Sequence, residues 1–191
     1  MKDSIKRITG GVFVGVLVLA LAGGFFLQER SSNSDEPAIP KSLTIVACDT
    51  PAPLLGAYIK SRNPRLPRTL VKEIAEELIR YCTLRQLPLA LVVAIVDKES
   101  EWNPLAVSPA NARGLMQILR CDGIEIDPST IHDIDYNLDV GTSIFAKKLQ
   151  ITKGDLMQAL DNYSGGAQGY SDDVLRGMGR YVLYVSSERA K

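Results

Sequence analysis

One glutamate in this chain stands where an acid catalyst would. Glu99 follows an unbroken apolar run, Leu89 through Val96, and is succeeded at once by Ser100. A carboxyl that ends a buried apolar helix with no paired cation stays protonated closer to neutral pH than a solvated one. Set beside a loop of polar groups, such an acid is the proton donor that cleavage of a glycosidic bond needs. The polar groups are there at short intervals: Asn103-Pro104, Ser108, and Gly114-Leu115-Met116-Gln117-Ile118. Asp97 and Glu101 lie two residues to either side of Glu99, about 200° away around a helix, and read as solvated neighbours. The plainer reading of Glu99 itself is a helix-terminal side chain paired with Lys98 or Arg113.

The elements that must hold this acid are helical. Leu70, Ile74 and Leu78 recur at intervals of four, Val71, Ala75 and Cys82 fill the same side, and Lys72, Glu73, Glu76, Glu77 and Arg80 take the other. That is an amphipathic helix beginning after Pro67. Pro88 suits the first turn of the next helix, which is apolar on nearly every side and stops before Asn103-Pro104. The pattern predicts a short helix over Ala112–Leu119 and another over Asp135–Leu149 with Leu138, Gly141, Phe145 and Leu149 inward. A further helix is expected from Asp155 to Tyr163, stopped by Gly165-Gly166. The last is capped by Ser171 and turns Val174, Met178, Tyr181, Val182 and Val185 inward. Alternating strand patterns are scarce, so the fold class is mainly α; Thr44–Ala47 alone reads as a possible short strand.

Residues 1–7 carry Lys2, Lys6 and Arg7, and residues 8–27 contain no charge. About 20 apolar residues span a bilayer, and the flanking cations keep the N-terminus cytoplasmic. The segment therefore reads as a single-pass inner-membrane anchor, with everything after it exported to the periplasm. The rival reading is a cleaved signal peptide, for which Ala20-Leu21-Ala22 supplies the small residues. Residues 28–66, with Ser31–Ser34, Pro37, Pro40, Pro51 and Pro53, read as a linker, and residues 67–191 as the folded domain. Lys+Arg and Asp+Glu both number 22, which gives no support for nucleic-acid binding. Cys48, Cys82 and Cys121 leave an odd thiol whatever pairs. Cys82 reads as a small buried hydrophobe, and His132, the one histidine, cannot complete a Cys-His-His metal cluster.

Glu99-Ser100, Asn103-Pro104, Ala106, Ser108 and Gly114-Leu115-Met116-Gln117-Ile118 together resemble the lytic transglycosylase family, the soluble-lytic-transglycosylase type of lysozyme-like domain. The likeness runs from about Leu78 to Val185. Asn137-Leu138 with Gly141 resembles the family's Asn-Ile-x-x-Gly helix. Ala159 to Gly166 resembles the segment that carries its Ala-Tyr-Asn-x-Gly, with Ser164 where the Asn is usual. The resemblance implies that Glu99 protonates the oxygen between N-acetylmuramic acid and N-acetylglucosamine. The same group then takes the proton of the muramic C6 hydroxyl as a 1,6-anhydro ring closes. It implies Ser100, Ser108, Gly114, Gln117 and Tyr163 as substrate-binding residues, Tyr163 beside Glu99, and peptidoglycan strands as the partner, with no metal or cofactor. A trans-envelope machine is a possible further partner that no residue names. Two alternatives stand: a water-using muramidase, whose second carboxylate would be Asp122, Glu125, Asp127, Asp133 or Asp135, and a non-catalytic wall-binding module of the same fold.

Overall fold

The computed structural model describes residues 50–119 and 126–191. Six helices are found among them: α1 (Ala52–Arg62), α2 (Arg68–Leu84), α3 (Leu89–Ser100), α4 (Ile134–Ile151), α5 (Leu156–Tyr163) and α6 (Tyr170–Arg189). The described residues contain no strand, only two isolated bridges, Val107 with Arg113 and Arg113 with Ile118.

Each helix starts and faces inward for a local reason. Three begin after prolines, Pro51, Pro67 and Pro88, whose fixed backbone angle leads into a helix. Two are capped by aspartates: Asp133 accepts from the Tyr136 N–H at 3.1 Å, and Asp155 from the Gln158 N–H at 3.0 Å. α2 buries Val71, Ile74, Ala75, Leu78 and Cys82, the stripe its periodicity predicts. α3 is buried from Leu89 through Asp97 and packs most extensively on α6. A single apolar core joins all six helices, with Trp102, Tyr58, Tyr181 and Phe145 among its largest members. Tyr58 meets the rings of Trp102, Tyr181 and Tyr184 edge-on, an arrangement that aromatic quadrupoles favour.

Several expectations need correction. The linker does not run to residue 66. Ala52–Arg62 is a helix that buries Leu55, Tyr58 and Ile59, spaced three and four apart. Pro51 and Pro53, read from sequence as breakers, stand at its N-cap and first turn, where proline is well tolerated. Ala112–Leu119 is no helix but a tight turn pinned by reciprocal backbone bonds between Arg113 and Ile118, at 3.0 and 2.9 Å. α6 begins one residue before Ser171, after Gly169 in a left-handed conformation, and the Ser171 hydroxyl bonds the Asp161 carboxylate instead of capping. Cys82 is buried as expected. The apolar run 8–27, the candidate strand Thr44–Ala47, Cys48 and Cys121 lie outside the described residues. Among those described, no helix is long and apolar enough to cross a membrane.

Candidate active site

Glu99 occupies the last turn of α3. Its carboxyl is half-buried, and burial pushes its pKa above the ordinary glutamate value. The carbonyl end of the helix dipole disfavours a negative charge there in the same sense. Two weaker influences oppose this: a hydrogen bond from Tyr170 and the charge of Lys98. The Tyr170 hydroxyl donates to Glu99 Oε1 at 2.5 Å. Tyr170 is the first residue of α6 and is itself buried; burial and the neighbouring Glu99 carboxyl hold its phenol well above the usual range. Tyr170 is therefore a neutral donor, and Glu99 an acid that keeps its proton to higher pH than an ordinary glutamate.

Neither partner in the plainer reading claims Glu99. Lys98 reaches Asp173 at 2.7 Å, and the Arg113 guanidinium bonds Asn111 Oδ1 at 3.2 and 3.1 Å. The expectation that Asp97 is a solvated neighbour is wrong. Asp97 is 7% exposed and receives Arg62 Nε on both oxygens at 3.0 Å, Trp102 Nε1 at 2.7 Å and Arg180 Nη1 at 3.2 Å. A local rotation argument put it on another face from Glu99, which holds, but that face is covered by α1 and α6. Glu101 is exposed. Trp102, the one tryptophan of the chain, is fully buried.

The loop after α3 is built by the motif residues themselves. The Ser108 hydroxyl accepts the Ala112 N–H at 3.0 Å, and Gln117 Nε2 donates to the Ala106 and Gly114 carbonyls at 3.2 and 2.9 Å. Ser100 Oγ donates to the Val96 carbonyl at 3.1 Å, one turn back on its own helix. Gly114 has φ +79°, and a Cβ there would lie 2.1 Å from Asn137 Nδ2. Only glycine meets both demands. The close approach is thus to α4. Asn137, buried, clasps the loop: Oδ1 accepts the Met116 N–H at 2.9 Å, and Nδ2 donates to the Arg113 and Ile131 carbonyls at 3.0 and 2.8 Å. A turn further along α4, Gly141 leaves room for Met116, whose side chain a Cβ would meet at 2.6 Å. The Asn137-to-Gly141 spacing is therefore a socket for the Gly114–Gln117 loop.

Tyr163, at the end of α5, packs edge-on against Phe145 and donates to the Met116 carbonyl at 2.8 Å. It completes the same clasp from the third side. The hydroxyl on Glu99 is that of Tyr170, which the sequence reading missed. A signal existed: Tyr170 falls in phase with Val174, Tyr181 and Val185 on the inward face of α6. Of the described acids considered as a second carboxylate, Asp133 caps α4, Asp135 pairs with Arg80 and Tyr81, and Asp127 is exposed and bonded by Ser129. Asp122 and Glu125 lie outside the described residues. Among those residues no cluster of His, Cys, Asp or Glu is grouped to hold a metal.

Comparison with known proteins places this geometry. Over 74 residues the chain is 32% identical to a soluble lytic murein transglycosylase of Escherichia coli K12, covering 34% of this chain and 12% of that protein. Over 128 residues it is 30% identical to membrane-bound lytic murein transglycosylase C of Haemophilus ducreyi, covering 53% of this chain and 35% of that one. It thus spans a minor part of the length of either relative. No solved structure matches it. A family model described as the transglycosylase SLT domain matches residues 78–176 of the 191, from within α2, through Glu99 and its loop, to the first turns of α6. The chain belongs to the transglycosylase SLT domain family.

Proposed function

We propose that this protein is a peptidoglycan lytic transglycosylase that uses Glu99 first as acid and then as base. The observation that carries the reading is one half-buried carboxyl, raised in pKa by burial and bonded by a neutral tyrosine, in a chain of this family. Glu99 gives its proton to the oxygen bridging muramic acid C1 and the next sugar. The C1–O bond breaks through an oxocarbenium-like state, and N-acetylglucosamine leaves. The Glu99 carboxylate then takes the proton of the muramic C6 hydroxyl, whose oxygen bonds C1. The acid is regenerated, no water is consumed, and one carboxyl serves both steps. The Tyr170 hydroxyl supports the carboxylate midway, because a hydrogen bond to the charged form favours it. Ser108, Gly114, Gln117 and Tyr163 contribute by shaping the loop that would face the sugar, and Ser100 by its bond within α3.

Residues 8–27 support attachment to the inner membrane, with the domain on the periplasmic side, and the name of the Haemophilus ducreyi relative includes "membrane-bound". Digesting purified sacculi and identifying the released ends tests the activity. Anhydro-muramic ends are expected. Reducing muramic ends would make the protein a water-using muramidase, and release no greater than that from Glu99→Gln would make it a binding module. The intact mass of the mature protein distinguishes an anchor from a cleaved signal.

A further inference from the structure

The residues two positions to either side of Glu99 are held, one by its side chain and one by its backbone, from the C-terminal end of a helix that lies outside the segment matched to the family. α1 ends at Arg62, with Asn63 as its C-cap. Arg62 Nε donates to both oxygens of Asp97 at 3.0 Å, two residues before Glu99. Asn63 Nδ2 donates to the Glu101 carbonyl at 3.1 Å, two residues after it. Between these grips the chain does something costly. Glu101 and Trp102 are consecutive non-glycine residues in the left-handed region, at φ +49° and +66°. Such conformations persist only where the surroundings enforce them. Here the enforcement is visible: Trp102 is buried with its indole N–H on Asp97 Oδ1, and the Asn103 N–H closes the turn on the Ser100 carbonyl at 2.9 Å. Arg180, from the helix that also supplies Tyr170, adds a donor to Asp97.

We propose that the C-terminal end of α1, through Arg62 and Asn63, is a positioning element for the Glu99 carboxyl, fixing the strained turn that aims it. The proposal rests on the acid role assigned to Glu99 above. The last turn of a helix frays readily, whereas a proton donor must hold its place closely, because a displacement of about 1 Å can cost on the order of a hundredfold in rate. Tyr170 ties down one carboxylate oxygen; the end of α1 ties down the Asp97 side chain before Glu99 and the Glu101 carbonyl after it.

The test uses the full chain with Arg62→Ala, Arg62→Lys and Asn63→Ala. Turnover and KM are measured on a soluble glycan strand, and the Glu99 carboxyl is titrated by ¹³C NMR. Arg62→Ala should lower kcat by roughly tenfold or more with KM nearly unchanged, the pattern of an interaction that serves the transition state. Lys, which keeps one cation on Asp97, should recover part of it. Asn63→Ala changes no charge, so any movement of the Glu99 midpoint reports position. The midpoint should fall, because burial, which holds it up, relaxes. Should Arg62→Ala fail to fold, the other two variants carry the test. Folded variants with wild-type kcat and a wild-type Glu99 midpoint, even if less heat-stable, would make the grip structural only and overturn the proposal. If the wild type releases no product, the activity assignment fails, and the Asn63→Ala titration still decides whether α1 positions Glu99.

Discussion

Two carboxyls, two residues apart on the last turn of α3, have opposite surroundings. Asp97 is buried under α1 and α6 and is met by two guanidinium groups and an indole N–H. Glu99 is half-buried and is met by the neutral phenol of Tyr170. Burial alone does not make a catalytic acid. Asp97 is the more deeply buried of the two, yet its donors satisfy it as a charged tie between three helices. Glu99 combines desolvation with too little compensation, and that combination raises its pKa. The difference also divides labour. Asp97 ties the turn in place, and Glu99 is the group proposed to exchange a proton.

The sharpest way to break this comparison is Glu99→Gln. It should lower product release from sacculi by on the order of a thousandfold, the middle of the range for loss of a general acid–base. It should also alter the pH dependence of stability. A carboxyl whose folded pKa is raised stabilises the fold only while protonated, so wild-type stability falls as pH rises from about 4 through the raised value. The glutamine variant lacks that fall, and urea denaturation should find it at least as stable as wild type at pH 7. Asp97→Ala should do the reverse. Stripping a buried carboxylate from two arginines and the Trp102 N–H should cost about 2–3 kcal/mol by urea denaturation. That is less than for a fully enclosed pair because both arginines are partly exposed.

Smaller effects refine the contrast. Tyr170→Phe removes the phenol donor on Glu99 and should slow turnover by about tenfold, in line with a hydrogen bond to a charged group. Because that bond favours the ionised form, its loss should move the Glu99 midpoint, and the upper limb of the pH–rate profile, further up. Lys98→Ala should give the smallest change. Its ammonium is exposed and engaged by Asp173, so stability should move by less than about 0.5 kcal/mol. The Glu99 midpoint should rise slightly, as ¹³C NMR can read.

Much of this was legible in the residues. The apolar stripe of α2, the buried apolar run of α3, the extent of α5 and the inward face of α6 all follow from spacing that each helix reads for itself. Glu99 stood out because an acid at the end of an apolar helix is locally anomalous. Gly114 was singled out by the motif it belongs to, and only α4 shows why glycine is needed there. α1 was misread because its prolines carry two meanings, breaker or helix start, and only the burial of Leu55, Tyr58 and Ile59 against the rest of the chain selects one. Residues 112–119 were misread because a segment that short has too few positions for its spacing to tell a helix from a turn. The clasp by Asn137 and the Arg113–Ile118 bonds decides between them.

By itself, the order of residues determined where α2 to α6 form, which face of each is apolar, and which carboxyl is out of place, because these depend on neighbours within a few positions along the chain. Only the tertiary structure decided that Asp97 is buried, that Trp102 belongs to the core, and that Tyr170, 71 residues away, holds Glu99. Desolvation and hydrogen-bond partnership arise from groups distant in sequence, and the spacing along one helix carries no record of what packs against it.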